Sequence, residues 1–365
     1  MSIGIYVHIP YCRRKCKYCA FVSTESADTM RSYVNAVKKD IESAGEAYGN
    51  VEADSIYFGG GTPSVLFDGA VETILDKLAG TFRLRDPEIT VEANPESVSD
   101  KLDEYKRAGV NRISIGVQSL SDEILKKIGR IHDRAQAIRA IDRTCSIFGN
   151  VSADVMLGLP SDTTDGVLST LSELTEFPLK HLSAYGLKIE ENTPLYGERG
   201  NLGIPDDDAQ ADMYEAAVDF LRERGFERYE ISNFARPGYE SRHNLKYWEC
   251  CEYLGIGVAA HGYMNGERFA KTSDIARYID NPAALSHREP IPPETSLFEH
   301  IMLGLRLEKG IDIDCLNRKF GIDFMSKYRA ALSKLSGILR IDGRRLAVKP
   351  EYFFCLNSVL IEFMD

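Results

Sequence analysis

Six times in the first half of the chain a short run of β-branched and apolar residues gives way to a segment with helical periodicity. No other feature restricts the fold as strongly. The strand-like runs are Ile3 to Ile9, Asp54 to Gly59, Glu88 to Ala93, Asn111 to Gly116, Val151 to Leu157 and His181 to Leu187. After the first, Met30, Tyr33, Val34, Val37 and Ile41 fall at the spacing of an amphipathic helix. Val71 to Leu78, Asp100 to Ala108, Asp133 to Phe148 and Gly166 to Leu174 read as further helices. Such alternation builds a parallel sheet covered by helices, and six units predict an α/β fold, a partial (β/α)6 TIM-type barrel.

Downstream, Ala209 to Arg224 reads as a helix and Arg228 to Ser232 as a strand, followed by a segment rich in glycine and aromatic residues up to Tyr263. Four prolines between Asn281 and Pro293 read as a linker. Thr295 to Leu307 then reads as a helix, and Ile311 to Asp365 as short helices with a strand pair near Leu339 to Val348. The expected division is a core over 1–290 and a small helical or winged-helix-like C-terminal domain over 291–365.

No apolar run approaches the ~18 residues that a membrane span needs, and a net charge of −11 over 365 residues argues against a nucleic-acid surface. The start Met-Ser-Ile-Gly-Ile-Tyr lacks a basic stretch ahead of an apolar core, so a reducing, cytoplasmic setting is expected. Cys145, Cys315 and Cys355 read as buried thiols, and the adjacent Cys250 and Cys251 suit neither a relaxed disulfide nor a usual ligand pair.

The chemistry-bearing residues follow the strands. Cys12, Cys16 and Cys19 stand just beyond the first. Three thiolates can hold a cubane of four irons and leave one iron open, whereas structural zinc prefers four ligands, and no second cysteine pair follows at suitable spacing. Gly59-Gly60-Gly61-Thr62 follows the second strand, Glu92 ends the third, Gln118 follows the fourth and Asp154 lies within the fifth. In barrels of this type, loops at the carboxyl ends of the strands converge on one site. A triglycine alone is as well explained by a turn. Far downstream lies His243-Asn-Leu-Lys-Tyr247-Trp248; taken alone, a histidine followed by aromatics is more often a packed core element.

The cysteine spacing, with Tyr6-Val-His-Ile-Pro ahead of it, resembles the radical S-adenosylmethionine superfamily, and the later motifs resemble its porphyrin-handling branch, the anaerobic coproporphyrinogen III oxidase-like family. The resemblance implies a 4Fe-4S cluster on Cys12, Cys16 and Cys19 and S-adenosylmethionine on the open iron. It further implies cofactor contacts from Tyr6, Tyr18, Gly60, Gly61, Thr62, Glu92, Gln118, Arg130 and Asp154. Position 21 is Phe, where the oxygen-independent coproporphyrinogen III dehydrogenase of this branch carries a fourth cysteine. Cys-Ala-Phe and the His-Asn-x-x-Tyr-Trp motif instead resemble the heme chaperones of the branch. That implies heme bound by His243 as axial ligand with Tyr247 and Trp248, and acceptor hemoproteins as partners. The rival implication is oxidative decarboxylation of coproporphyrinogen III. A flavodoxin- or ferredoxin-type reductant and a homodimer are further expectations.

Overall fold

The computed structural model describes residues 2–49 and 51–364. Met1 and Asp365, which bound the expected domains, and Asn50 lie outside the described residues. The strands β1 (Ile3–Ile9), β2 (Glu52–Gly60), β3 (Arg83–Ala93), β4 (Arg112–Gln118), β5 (Val151–Leu157) and β6 (His181–Gly186) pair in parallel in that order. Between them run α1 (Met30–Tyr48), α2 (Ala70–Thr81), α3 (Leu102–Arg107), α4 (Asp122–Lys127), α5 (Arg134–Ile147) and α6 (Thr164–Thr175). This is the expected partial barrel, with an open sheet.

Period-two alternation gives each strand two distinct faces. Ile5, Val7, Ile56, Phe58, Val91, Ile113, Ile115, Ala153 and Val155 are buried in the main apolar core, which the covering helices share. The alternate positions turn inward and are polar: Tyr57, Glu92, Ser114, Gln118 and Asp154 line the lumen. The hydrophobic effect therefore holds helices to the outside of the sheet and leaves the inside free for chemistry.

After α7 (Pro194–Glu198) and α8 (Asp207–Glu223), the expected strand over Arg228 to Ser232 is divided into β7 (Glu227–Arg228) and β8 (Asn233–Ala235). Glu230 breaks it, because its buried carboxylate accepts from Ser232 N at 3.1 Å and also from the Asn233 side chain. Helix α9 (Arg242–Trp248) precedes β9 (Tyr253–Ile256), β10 (His261–Met264), β11 (Glu267–Lys271), α10 (Ile275–Asp280) and β12 (Leu285–Pro290). Among the described residues all these strands form one twelve-stranded sheet, extended at both edges of the parallel core. The proline-rich segment is thus no free linker: β12 pairs antiparallel with β11. It is an edge strand, where a proline's missing N–H costs no ladder bond.

Helix α11 (Pro293–Gly304) leads into short helices and a three-stranded sheet formed by β13 (Ile311–Asp312), β14 (Leu339–Asp342) and β15 (Arg345–Val348). These elements gather a second apolar core, from Leu297 and Ile301 to Leu346, Leu356 and Phe363.

Candidate functional site

Beyond β1 the chain turns into the cysteine loop, which is pinned to the barrel rim through its backbone. Cys12 N donates to Thr24 O at 3.0 Å, Thr24 N to Pro10 O at 2.7 Å and Lys17 N to Ile128 O at 3.0 Å. Cys12, Cys16 and Cys19 are free of disulfides, half-buried, and line one cavity of about 500 Å³ at the carboxyl ends of the strands. Burial pushes the Cys12 and Cys19 thiols up; at Cys12 the Thr62 hydroxyl, 3.5 Å from the sulfur, works against it. Arg130 donates from Nη1 to Cys16 Sγ at 3.5 Å and from Nη2 to Asn94 Oδ1 at 2.8 Å. The guanidinium thus places a positive charge and a donor against one of the three sulfurs. Three thiols facing a common void fit a cluster that takes three protein ligands.

Beside the cysteine loop, the glycine turn after β2 packs so closely against β1 that side chains have no room there. Gly60 has φ 106°, and a Cβ there would lie 2.4 Å from the His8 ring; at Gly61 it would lie 2.7 Å from Ile9 O. Only glycine fits this close approach of the two backbones. Glu92 meets the cradle, its Oε2 accepting from Gly60 N at 3.2 Å and its Oε1 from the Tyr57 hydroxyl at 2.8 Å. Burial pushes the Glu92 carboxyl up to about 7, with the Tyr57 hydrogen bond opposing. Burial also raises Asp154, whose carboxylate accepts from Ser114 Oγ at 3.1 Å. Gln118 closes the wall with φ 68°, a left-handed conformation unusual for a residue with a side chain, where a bulge ends β4 against β5. Of the expected cofactor contacts, Tyr18, Gly60, Gly61, Thr62, Glu92, Gln118, Arg130 and Asp154 all line this one cavity. Its polar wall and glycine cradle fit a zwitterionic ligand.

Tyr6 does not line the cavity. It lies a layer below the cavity, its hydroxyl 3.2 Å from His8 Nδ1 and its ring stacked on Tyr57 at 6.2 Å, and it reaches the wall only through these neighbours.

The residues expected to contact heme lie away from this cavity. His243 sits at the other end of the barrel from the cysteines, against Gly4 and Ser55 at the starts of β1 and β2. It is 1% exposed, and both ring nitrogens are engaged: Nδ1 lies 3.0 Å from Ser55 Oγ and Nε2 2.8 Å from Tyr247 Oη. Burial drives its pKa down to about 3, assisted by the Lys246 charge. In this arrangement both nitrogens are hydrogen-bonded to hydroxyls and the ring is packed in the barrel floor. Tyr247 is spent on the same contact and on an edge-on approach to Tyr253 at 4.6 Å. Trp248 faces a separate cavity beside His300 and Cys315. The three residues form no common face for a macrocycle. Cys315 and Cys355, expected to be buried, are exposed.

Sequence reading missed Tyr57, Met156 and Tyr185 in the cavity wall. The available signal was register: each occupies the same inward-facing parity as Glu92 or Asp154 on its strand.

The fold and the cysteine-lined cavity define a radical S-adenosylmethionine protein. The model of the radical SAM superfamily matches residues 6–174, and that of the HemN C-terminal domain matches 291–351. The chain is 33% identical to the heme chaperone HemW of Lactococcus lactis, covering 98% of this chain and 96% of that one. With the Escherichia coli heme chaperone HemW it shares 42% identity, over 71% of this chain and 70% of the relative. The solved structure of Escherichia coli coproporphyrinogen III oxidase (HemN) superposes with a TM-score of 0.86 at 19% identity, covering 99% of this chain and 90% of that one. The chain belongs to the heme chaperone HemW family.

Proposed function

We propose that the protein is a heme chaperone of the cytoplasm, carrying a 4Fe-4S cluster and S-adenosylmethionine and handing heme to acceptor hemoproteins. Position 21 carries this reading against the dehydrogenase alternative. The Phe21 side chain stands 64% exposed at the rim of the cavity, where a fourth cysteine would belong to the oxidative decarboxylase. A phenyl ring neither ligates iron nor exchanges electrons, but an exposed apolar ring does offer a surface to a flat macrocycle. Relatives matched over 98% and 91% of the chain are themselves named heme chaperones.

When bound, the cluster and its cofactor supply a reducible centre beside a cleavable sulfonium. The chain's own contribution is to hold them. Cys12, Cys16 and Cys19 would ligate three irons, with Arg130 offsetting thiolate charge. Gly60 to Thr62 would admit the methionine end of S-adenosylmethionine, and Glu92 would accept from its amino group. Gln118 and Asp154 would line the remainder. A flavodoxin- or ferredoxin-type protein would deliver the electron.

The test offers heme and coproporphyrinogen III separately to anaerobically reconstituted protein. A Soret band that survives gel filtration and then passes to an apo-hemoprotein is expected. Formation of protoporphyrinogen would overturn the reading in favour of the dehydrogenase.

A further inference from the structure

Tyr57 joins the two ends of the barrel. Its ring stacks on His243 with centroids 5.2 Å apart and planes at 26°, and on Tyr6 at 6.2 Å with the same angle. Its hydroxyl points the other way, toward the mouth, and donates to Glu92 Oε1 at 2.8 Å. The second oxygen of that carboxylate is already taken by Gly60 N, so Glu92 is held at both oxygens. His243 is itself immobilised by Ser55 and Tyr247, and the helix that carries it is anchored to β2 by the 2.7 Å ion pair of Lys246 with Asp54. The order of support runs from α9 to His243, to Tyr57, to Glu92.

We propose that Tyr57 is the positioning residue for Glu92, with His243 as its backing, so that the grip on the amino group of S-adenosylmethionine is set from the floor of the barrel. This rests on the reading that the cavity takes S-adenosylmethionine. It gives the imidazole of the histidine motif a task in this geometry: a buttress that supports the cofactor wall by stacking.

The chemistry of the contact makes the role measurable. The N–H of an iron-bound amino group is accepted most strongly when the Glu92 carboxyl is ionised. The titratable and charged groups facing it are Tyr57 on its own side of the lumen, Asp154 from β5, which disfavours ionisation, and Arg112 from β4, which favours it. Burial keeps the Tyr57 phenol far above its ordinary range, so it remains a donor at every working pH. Removing that donor leaves the buried carboxylate less stabilised, and its protonation midpoint moves up from about 7.

The experiment measures S-adenosylmethionine affinity by anaerobic calorimetry on cluster-reconstituted protein between about pH 6 and 9, for wild type, Tyr57→Phe, Glu92→Gln and His243→Ala. Wild-type affinity should weaken below neutrality. Tyr57→Phe should bind about tenfold more weakly at pH 7, the loss of a hydrogen bond to a charged group, and should recover toward wild type as pH rises. Glu92→Gln should show a flat profile, and His243→Ala should reproduce part of the Tyr57→Phe shift. A Tyr57→Phe protein with the wild-type profile, or with an equal loss at every pH, would overturn the positioning role. A wild-type midpoint in His243→Ala would remove the histidine from it. Wild-type protein that ignores S-adenosylmethionine would overturn the underlying reading as well.

Discussion

The Arg130 guanidinium ties the Cys16 sulfur, 3.5 Å from Nη1, to Asn94 Oδ1, 2.8 Å from Nη2. Asn94 passes the connection on, donating from Nδ2 to Thr62 Oγ1 at 3.1 Å, and Thr62 reaches the Cys12 sulfur. One cation thus organises the loop after β1, the glycine cradle after β2 and the end of β3. Arg130→Ala should bind its cluster about tenfold less tightly, in line with the ~1.5–3 kcal/mol of a hydrogen bond to a charged group. Iron and sulfide retained after anaerobic chelation measure this. Arg130→Lys should restore charge but not the fork, and so recover only part of the loss.

The buried His243 gives the apoprotein a pH signature. Its folded pKa lies near 3, below the unfolded value of 6.5. Between these values the unfolded chain takes up a proton that the folded one refuses, so this group's stabilisation is present above about pH 6.5 and is lost as pH falls toward 3. Urea midpoints between about pH 4 and 7 should therefore fall with acidification, and His243→Phe should flatten that dependence. The substitution should also cost about 1–3 kcal/mol at neutral pH, since Ser55 and Tyr247 lose a buried partner.

Asp40 and Lys271 fasten α1 to β11. Their ion pair, at 2.6 Å, is nearly sealed from water, and Asp40 also accepts from the Tyr278 hydroxyl at 2.9 Å and from Gly257 N at 3.1 Å. Asp40→Ala strands the Lys271 ammonium and should cost about 3–5 kcal/mol by urea unfolding. The double variant Asp40→Leu with Lys271→Met should be markedly more stable than the single one.

Gly60→Ala carries two faults, a Cβ at φ 106° and a clash with the His8 ring. Thermal unfolding should move down, and S-adenosylmethionine affinity should drop by more than about tenfold, since side chains rarely tolerate that backbone. An unchanged affinity would show that the cradle is not a binding wall.

The barrel was readable because its strands carry a strict parity: Ile3–Ile9 and Val151–Leu157 lie where their apolar alternation puts them. Cys16, Glu92 and Gln118 were readable as one site because they stand at strand ends or in the loops that follow, where a barrel brings its connections together; Arg130 joins them from the connection after α4 and Asp154 from within β5. What failed depends on closure in three dimensions. A histidine with aromatic neighbours has the same sequence whether it meets a porphyrin or plugs a barrel floor, and only the occupancy of both nitrogens separates the two. Tyr57 carries no motif at all; its importance comes from standing between residues 35 and 186 positions away in sequence, Glu92 and His243. Proline content suggested a linker, and edge position made it a strand.

The account depends most on three thiols holding a cubane with one iron left for a ligand. Electron paramagnetic resonance of the anaerobically reconstituted, dithionite-reduced protein tests it directly. The prediction is a 4Fe-4S signal that changes when S-adenosylmethionine is added and disappears in a Cys12→Ala, Cys16→Ala, Cys19→Ala variant. A signal indifferent to S-adenosylmethionine, or one that persists without the three cysteines, would contradict it.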